Sequence, residues 1–299
     1  MGLSAEKTIF VHDLEADTLV ESLFLVEERQ EGRTRRGERY LKLRLSDRTG
    51  SIEGRVWNGA PGLDVVFRSG DVIAVQARVE RWRGVLQLNI AQIERAELDI
   101  SPAAFIPTSR FEPREMLEQL RDLMDEHLRS RWLRRLMAEL LYDEALVVAL
   151  YRSPASKRNH HNMRAGLLEH TLSMVRLGRL VARHYARYYP GLLDGDLLLV
   201  GIVLHDVGKV VELSPEPGFA YTTEGELLGH IVSGIGMLDR WLERVEGFPP
   251  DLALQLKHMI AAHHGRLEYG SPVRPKLIEA VVLHHIDMID AQMAALDGL

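Results

Sequence analysis

The chain has 299 residues, 46% of them hydrophobic and 27% charged, with a formal net charge of −6 and no cysteine. That balance suits one large or two ordinary soluble domains and gives no sign of a long disordered stretch. The missing cysteine excludes disulfides, thiol nucleophiles and thiolate metal sites, so any metal must be held by nitrogen and oxygen; the negative charge excludes a global field for nucleic acid and leaves that role to local patches.

The N-terminus MGLSAEKTIF lacks the basic-then-apolar pattern of a signal segment, and the longest apolar run, Leu197 to Leu204, is too short to span a bilayer. The expectation is a cytoplasmic chain with no membrane partner. Residues 19–26, 40–45, 51–57, 71–79 and 85–93 alternate apolar with polar side chains and read as strands. Asp47-Arg48-Thr49-Gly50, Ser69-Gly70-Asp71 and Arg83-Gly84 supply the turns. Short strands so closely spaced predict a small closed barrel, because closure removes exposed edges. Residues 101–115, with Pro102, Pro107 and Pro113, are the expected linker between a domain over 1–100 and a second over 116–299. In the second, apolar residues recur at helical spacing over 114–129, 131–151, 166–188, 196–207, 226–245, 251–264 and 275–295, which predicts an all-α domain.

Of 13 histidines, all but His12 and His127 lie after residue 159. His170 lies in GLLEHTLSM, His205 and Asp206 end the apolar run DLLLVGIVLHDVGK, and His230 lies in ELLGHIVSG. His263 and His264 lie in MIAAHHGRLE, and Asp287 lies in AVVLHHIDMID. Burying so many imidazoles and carboxylates among Leu, Ile, Val and Met is costly unless something pairs them. A cation does so, accepting imidazole nitrogen and carboxylate oxygen together. Taken singly, each is as readily a core histidine with a backbone partner as a ligand; the ordered set is hard to read that way. With its two oxygens, Asp206 can bridge two metals about 3.5–4 Å apart, the usual clamp for phosphoryl chemistry. Gly208 is the expected C-terminal cap of the preceding helix. Lys209 then either meets a phosphate oxygen beside the metals or completes the helix dipole.

The order His170, His205-Asp206, Asp287, with His230 and His263-His264 between, resembles the HD-domain metal phosphohydrolases over roughly residues 150–295. That resemblance implies one divalent ion on His170, His205, Asp206 and Asp287, and a second on Asp206, His230 and His263. His264 is the least favoured candidate for the second ion, because adjacent helical residues point about 100° apart. It implies Asp206 and Lys209 as catalytic residues, and Mn first among Mn, Fe, Co, Ni, Zn and Mg. His160, His161 and His284 would either line the pocket or, the favoured reading, support it from behind as structural residues. The Gly-Tyr-Pro signature of HD-type cyclic dinucleotide phosphodiesterases is missing from HHGRLEYGSP.

In YLKLRL, Leu41, Leu43 and Leu45 share one strand face and Tyr40, Lys42 and Arg44 the other; in SIEGRVW, Ile52 and Val56 face in, leaving Arg55 and Trp57 outside. Between Arg33 and Arg55 stand eight basic and three acidic residues. Basic residues interleaved with aromatics suit single-stranded nucleic acid, and Trp82 in the next hairpin extends such a groove. The plain alternative is a solvated charged face. The run YLKLRLSDRTGSIEGRVWN and RSGDVIAVQARVERWRGVLQLNI resembles an OB-fold nucleic-acid-binding domain over about residues 8–98. An OB-fold barrel followed by an all-α HD domain is similar to the YhaM-type 3′-to-5′ exoribonucleases, which HHNMRAGLLEHTLSM, VLHDVGKVVEL and LLGHI fit closely. The resemblance implies a metal-dependent enzyme that degrades single-stranded RNA, with DNA as a further substrate; a homo-oligomer is left open as a further state of the chain. Two other readings stand: an HD phosphohydrolase of small nucleotides, and a nucleic-acid-binding replication factor with a vestigial site. A di-iron oxygenase on the same fold fits the barrel poorly.

Overall fold

Period-2 alternation in the first hundred residues closes into a barrel, and period-3.6 patterning afterwards packs into helices. The computed structural model describes residues 7, 9–34, 36–57, 59–60, 65–96, 105–156, 162–216 and 219–297. These fall into two compact units, Met1–Thr108 with Glu216–Ala220, and Ser109–Pro215 with Tyr221–Leu299. Residues 101–104 of the expected linker lie outside the described residues.

The barrel unit holds β1 (Leu19–Arg33), β2 (Arg39–Asp47), β3 (Gly50–Val56), β4 (Val72–Trp82) and β5 (Val85–Arg95). They close in the order β1-β2-β3-β5-β4, with β3 and β5 parallel and the other pairs antiparallel. All five expected strands are present. The first runs on to Arg33, well past its expected end at Val26, through a bulge between Val26 and Glu28. Its first half pairs with β4 and its second with β2, and a bulge supplies the bend that one strand needs to serve two walls. The continuation EERQEGR has no apolar alternation, so only backbone pairing reveals it. Leu41, Leu43, Leu45, Ile52 and Val56 are buried with Phe24, Ile73, Val75, Leu88 and Ile90, as the alternation predicts. A second small cluster joins Leu23 and Leu25 to Phe105, Ile106 and Phe219.

The turn between β2 and β3 is tied by Asp47. Its buried carboxylate accepts from the Thr49 amide (2.9 Å) and the Val11 amide (2.9 Å) and pairs with the Lys7 ammonium (2.6 Å).

The helical unit holds α1 (Pro113–His127), α2 (Arg131–Leu141), α3 (Glu144–Leu150), α4 (Gly166–Tyr188), α5 (Gly195–Leu204), α6 (Lys209–Glu212), α7 (Thr223–Glu243), α8 (Pro250–Ala262) and α9 (Ile278–Asp297). The expected helix over 131–151 is two, because Asp143 accepts from the Leu146 amide (3.1 Å) and starts a new N-terminus. Leu197 through Leu204 are buried all round in α5, which packs on α2, α4, α8 and α9. That burial explains why α5 is apolar on every face. Helix α7 is broken at Gly229 (φ 69°, ψ 166°), a conformation that favours glycine. Among the described residues, no helix is long and apolar enough to cross a membrane.

Asp47→Ala removes the ion-pair partner of the largely buried Lys7 ammonium and the acceptor of the Val11 and Thr49 amides at the β2–β3 turn. The expected cost is about 3 kcal/mol, read as a lower urea midpoint for the barrel transition at unchanged slope.

Candidate functional site

Five helices deliver side chains to one buried point beside α5. Helix α4 supplies His170 in its second turn. The last carbonyls of α5 and α8 are followed directly by His205-Asp206 and His263-His264. His230 follows the break at Gly229 in α7, and Asp287 comes from α9.

Asp206 is the centre. Its Oδ2 lies 3.3 Å from His205 Nε2 and 3.9 Å from His170 Nε2, and its Oδ1 lies 3.5 Å from both His230 Nε2 and His263 Nε2. Asp287 Oδ1 is 3.4 Å from His170 Nε2. Donor atoms of His170, His205 and Asp206 lie within 4.8 Å of one another, and so do those of His230, His263 and His264. The structure therefore brings together all seven expected metal ligands, His264 included. Although His263 keeps a helical backbone, the His263 and His264 ring centroids lie only 4.1 Å apart, and both rings lie near His230.

The rings are fixed from behind. His205 Nδ1 donates to the Ile202 carbonyl and His263 Nδ1 to the Ile260 carbonyl, each at 2.7 Å. His170 Nδ1 donates to Asp290 Oδ2 (2.7 Å), whose Oδ1 accepts from the Ser173 hydroxyl, and His230 Nδ1 donates to Glu212 Oε1 (3.0 Å). An oxygen acceptor on Nδ1 leaves the Nε2 lone pair facing Asp206. His205, His230 and His263 thus present buried Nε2 atoms with no hydrogen-bond partner, as do Asp206 Oδ1 and His264 Nδ1. Lone pairs crowded together without a donor are stable only around a cation. These residues fit divalent metal binding.

Charge is balanced accordingly. Burial alone would raise the Asp206 carboxyl, but the Lys209 ammonium beside it holds it well below the usual carboxylate range. Burial likewise opposes, and His170 overcomes, a lowered Asp287. His170 is depressed by burial yet pushed up to about 9 by the Asp287 and Asp290 carboxylates. Burial and the neighbouring His263 pull His264 down to about 4. Lys209, lowered by burial and raised more strongly by Asp206, donates to Asp206 Oδ2 at 2.6 Å.

One expectation changes. Gly208 is not a left-handed cap: its backbone is right-handed (φ −64°, ψ −15°) and opens α6. What requires glycine is close approach, since a Cβ there would stand 2.0 Å from the His230 carbonyl oxygen. His284 does not reach the ligand cluster through its Nδ1, which donates to the His263 carbonyl (3.0 Å) and pins the end of α8. His160 and His161 lie outside the described residues. Sequence reasoning missed Asp290 and Glu212. Asp290 carries a signal, standing three residues beyond Asp287 on the same helical face. Glu212 carries none, because its contact depends on the break at Gly229.

On the barrel, Tyr40, Lys42, Arg44, Arg55 and Trp57 share the outer face of β2 and β3, with Lys42 opposite Arg55. Tyr40 and Trp57 have ring centroids 5.5 Å apart, the Arg55 guanidinium is 5.8 Å from the Trp57 ring, and Trp57 is 40% exposed. Trp82, 59% exposed, stands apart at the end of β4 with the Arg83 guanidinium 5.9 Å from its ring. The face is less freely basic than the sequence suggests. Arg44 Nε donates to the buried Glu27 (2.7 Å) and Lys42 pairs with Glu53 (2.9 Å).

Comparison with known proteins agrees with both units. An HD domain model matches residues 167–292, and an OB-fold nucleic acid binding domain model matches residues 25–96. The 3′-5′ exoribonuclease YhaM of Bacillus velezensis is 34% identical over 97% of this chain and 90% of its own length. Those of Halalkalibacterium halodurans and Geobacillus sp. are 35% and 33% identical, each over 93% of this chain and over 85% and 84% of their own lengths.

Asp290→Ala and Glu212→Ala remove the acceptors behind His170 and His230. Each is expected to weaken divalent-metal affinity by about 10–100-fold, measured by chelator competition on protein whose helical circular dichroism is intact.

Proposed function

Because the chain belongs to the YhaM family of 3′-5′ exoribonucleases, we propose that it hydrolyses single-stranded RNA, and DNA less readily, from the 3′ end with two divalent ions. The observation that carries this reading is Asp206, whose two oxygens face two separate sets of imidazoles. The first ion would be held by His170, His205, Asp206 and Asp287, the second by Asp206, His230, His263 and His264. Imidazole and carboxylate donors admit Mn, Fe, Co, Ni, Zn or Mg, and of these Mn is the ion proposed. Bound divalent ions supply Lewis acidity, lowering the pKa of water and neutralising charge on phosphoryl oxygens.

The protein's own groups do the rest. The Nδ1 hydrogen bonds hold each ring in one orientation, so no reorganisation is needed as charge develops. Lys209 keeps one proton on Asp206 Oδ2 and has two further N–H groups for a phosphoryl oxygen. No serine nucleophile is required. The domain over 1–100 holds the strand and the domain over 116–299 cleaves it. Tyr40, Trp57 and Trp82 offer faces for bases, and Lys42, Arg44 and Arg55 offer cations for phosphates. Arg44 keeps Nε on Glu27, and its partly exposed guanidinium has further N–H donors to offer.

Asp206→Ala is expected to abolish degradation of end-labelled RNA, by about 10³-fold or more. Activity surviving in metal-loaded Asp206→Ala protein would sink the mechanism. Replacing Arg44 and Trp57 together with alanine should raise KM for a strand about tenfold while affecting a small chromogenic phosphodiester much less. Equal losses on both substrates contradict the division of labour and favour a hydrolase of small nucleotides.

A further inference from the structure

Helix α4 changes character along its length. Its buried residues end at Gly178, and every residue from Arg183 to Leu192 is exposed. Within this exposed end stand three of the chain's eight tyrosines, Tyr185, Tyr188 and Tyr189. Tyr188 is 61% and Tyr189 55% exposed. Their rings gather with that of His184: centroids lie 5.0 Å from His184 to Tyr185, 4.9 Å from His184 to Tyr188 and 6.0 Å from Tyr185 to Tyr189.

Charge in this segment is one-sided. Between Glu169 and Asp194 there is no acidic residue, while Arg176, Arg179, Arg183 and Arg187 follow at spacings that share one helical stripe. Arg176 donates to Gln119, and Arg179 meets His127 Nε2 at 3.0 Å, so neither is paired with a carboxylate. Among the described residues, no carboxylate lies within ion-pair distance of Arg183 or Arg187 either. In a chain of net charge −6, this stretch of α4 sets cations, with no acid of its own, beside exposed rings.

We propose that the C-terminal end of α4 is a second single-stranded RNA contact. Arg183 and Arg187 meet phosphates, and His184, Tyr185, Tyr188 and Tyr189 offer faces to bases. The proposal rests on the reading of the chain as an RNA hydrolase. Tyrosine and arginine are also common at protein interfaces, but such a partner must bring its own acids. A strand brings a phosphate and a base at every step. The patch is also rigidly tied to the metal centre, because one helix carries both. His184 and Tyr188 stand 14 and 18 residues beyond His170, about 21 and 27 Å along the axis at 1.5 Å per residue. A strand whose 3′ end is at Asp206 has upstream nucleotides free to cover that distance.

The test uses full-length protein and an unstructured RNA strand made uncleavable by phosphorothioate linkages. Binding is then scored independently of cleavage. Arg183→Gln with Arg187→Gln should raise Kd about tenfold and reduce the slope of log K against log salt by about 1.4, for two lost phosphate contacts. Changing Tyr185, Tyr188 and Tyr189 to alanine should raise Kd about tenfold, while changing them to phenylalanine should restore binding. In the arginine variant, kcat/KM on a long strand should fall relative to kcat/KM on a dinucleotide. Unchanged Kd and salt slope in folded variants overturn the proposal. So does a change of mass by light scattering with RNA affinity intact, which would mark the patch as a contact between copies. Wild-type protein that leaves RNA intact strikes instead at the hydrolase reading.

Discussion

A carboxylate buried among four imidazoles is the constraint around which the helical unit is built. Asp206 cannot be neutralised by hydrogen bonds alone, because three of the rings facing it turn a lone pair toward it and use their N–H elsewhere. The site is therefore arranged for cations, and Lys209 supplies only one of them. Everything nearby accommodates this. Gly208 lets the turn after Asp206 lie against the His230 backbone, and Gly229 breaks α7 so that the His230 ring reaches both Glu212 and Asp206.

The way each ring is anchored follows from where it stands in its helix. The final carbonyls of a helix have no intrahelical donor. His205 and His263 directly follow α5 and α8, so their Nδ1 groups use such carbonyls three residues back. His170 and His230 lie within helices, where those carbonyls are already taken. Their Nδ1 groups use the Asp290 and Glu212 carboxylates instead. The same functional demand is thus met by backbone at two positions and by acidic side chains at two others.

The barrel obeys a different logic. Its outer face mixes cations with acids, and Glu27, buried on the β1 bulge, ties down Arg44 and Ser51. Such pairing limits nonspecific attraction and fixes where the guanidinium points. Aromatic faces at Tyr40 and Trp57 stay available. A polymer substrate suits a surface of this kind, since affinity is summed over many weak, repeated contacts.

Much of this was legible in the chain itself. The change of period near residue 100, the inward leucines of β2, and the order of His170, His205-Asp206, His230, His263 and Asp287 are local patterns, carried by neighbours in sequence. The extension of β1 to Arg33 was hidden because backbone pairing leaves no side-chain alternation, and Asp143 split a helix whose apolar spacing continued across it. The sequence by itself therefore determined the elements, their faces and the donor types. Tertiary structure alone decided which Asp206 oxygen faces which ring, that His264 joins the cluster, and that Asp290 and Glu212 hold the rings from behind. Those relations depend on backbone breaks and on contacts such as His170 to Asp290, 120 residues apart, which no local pattern encodes.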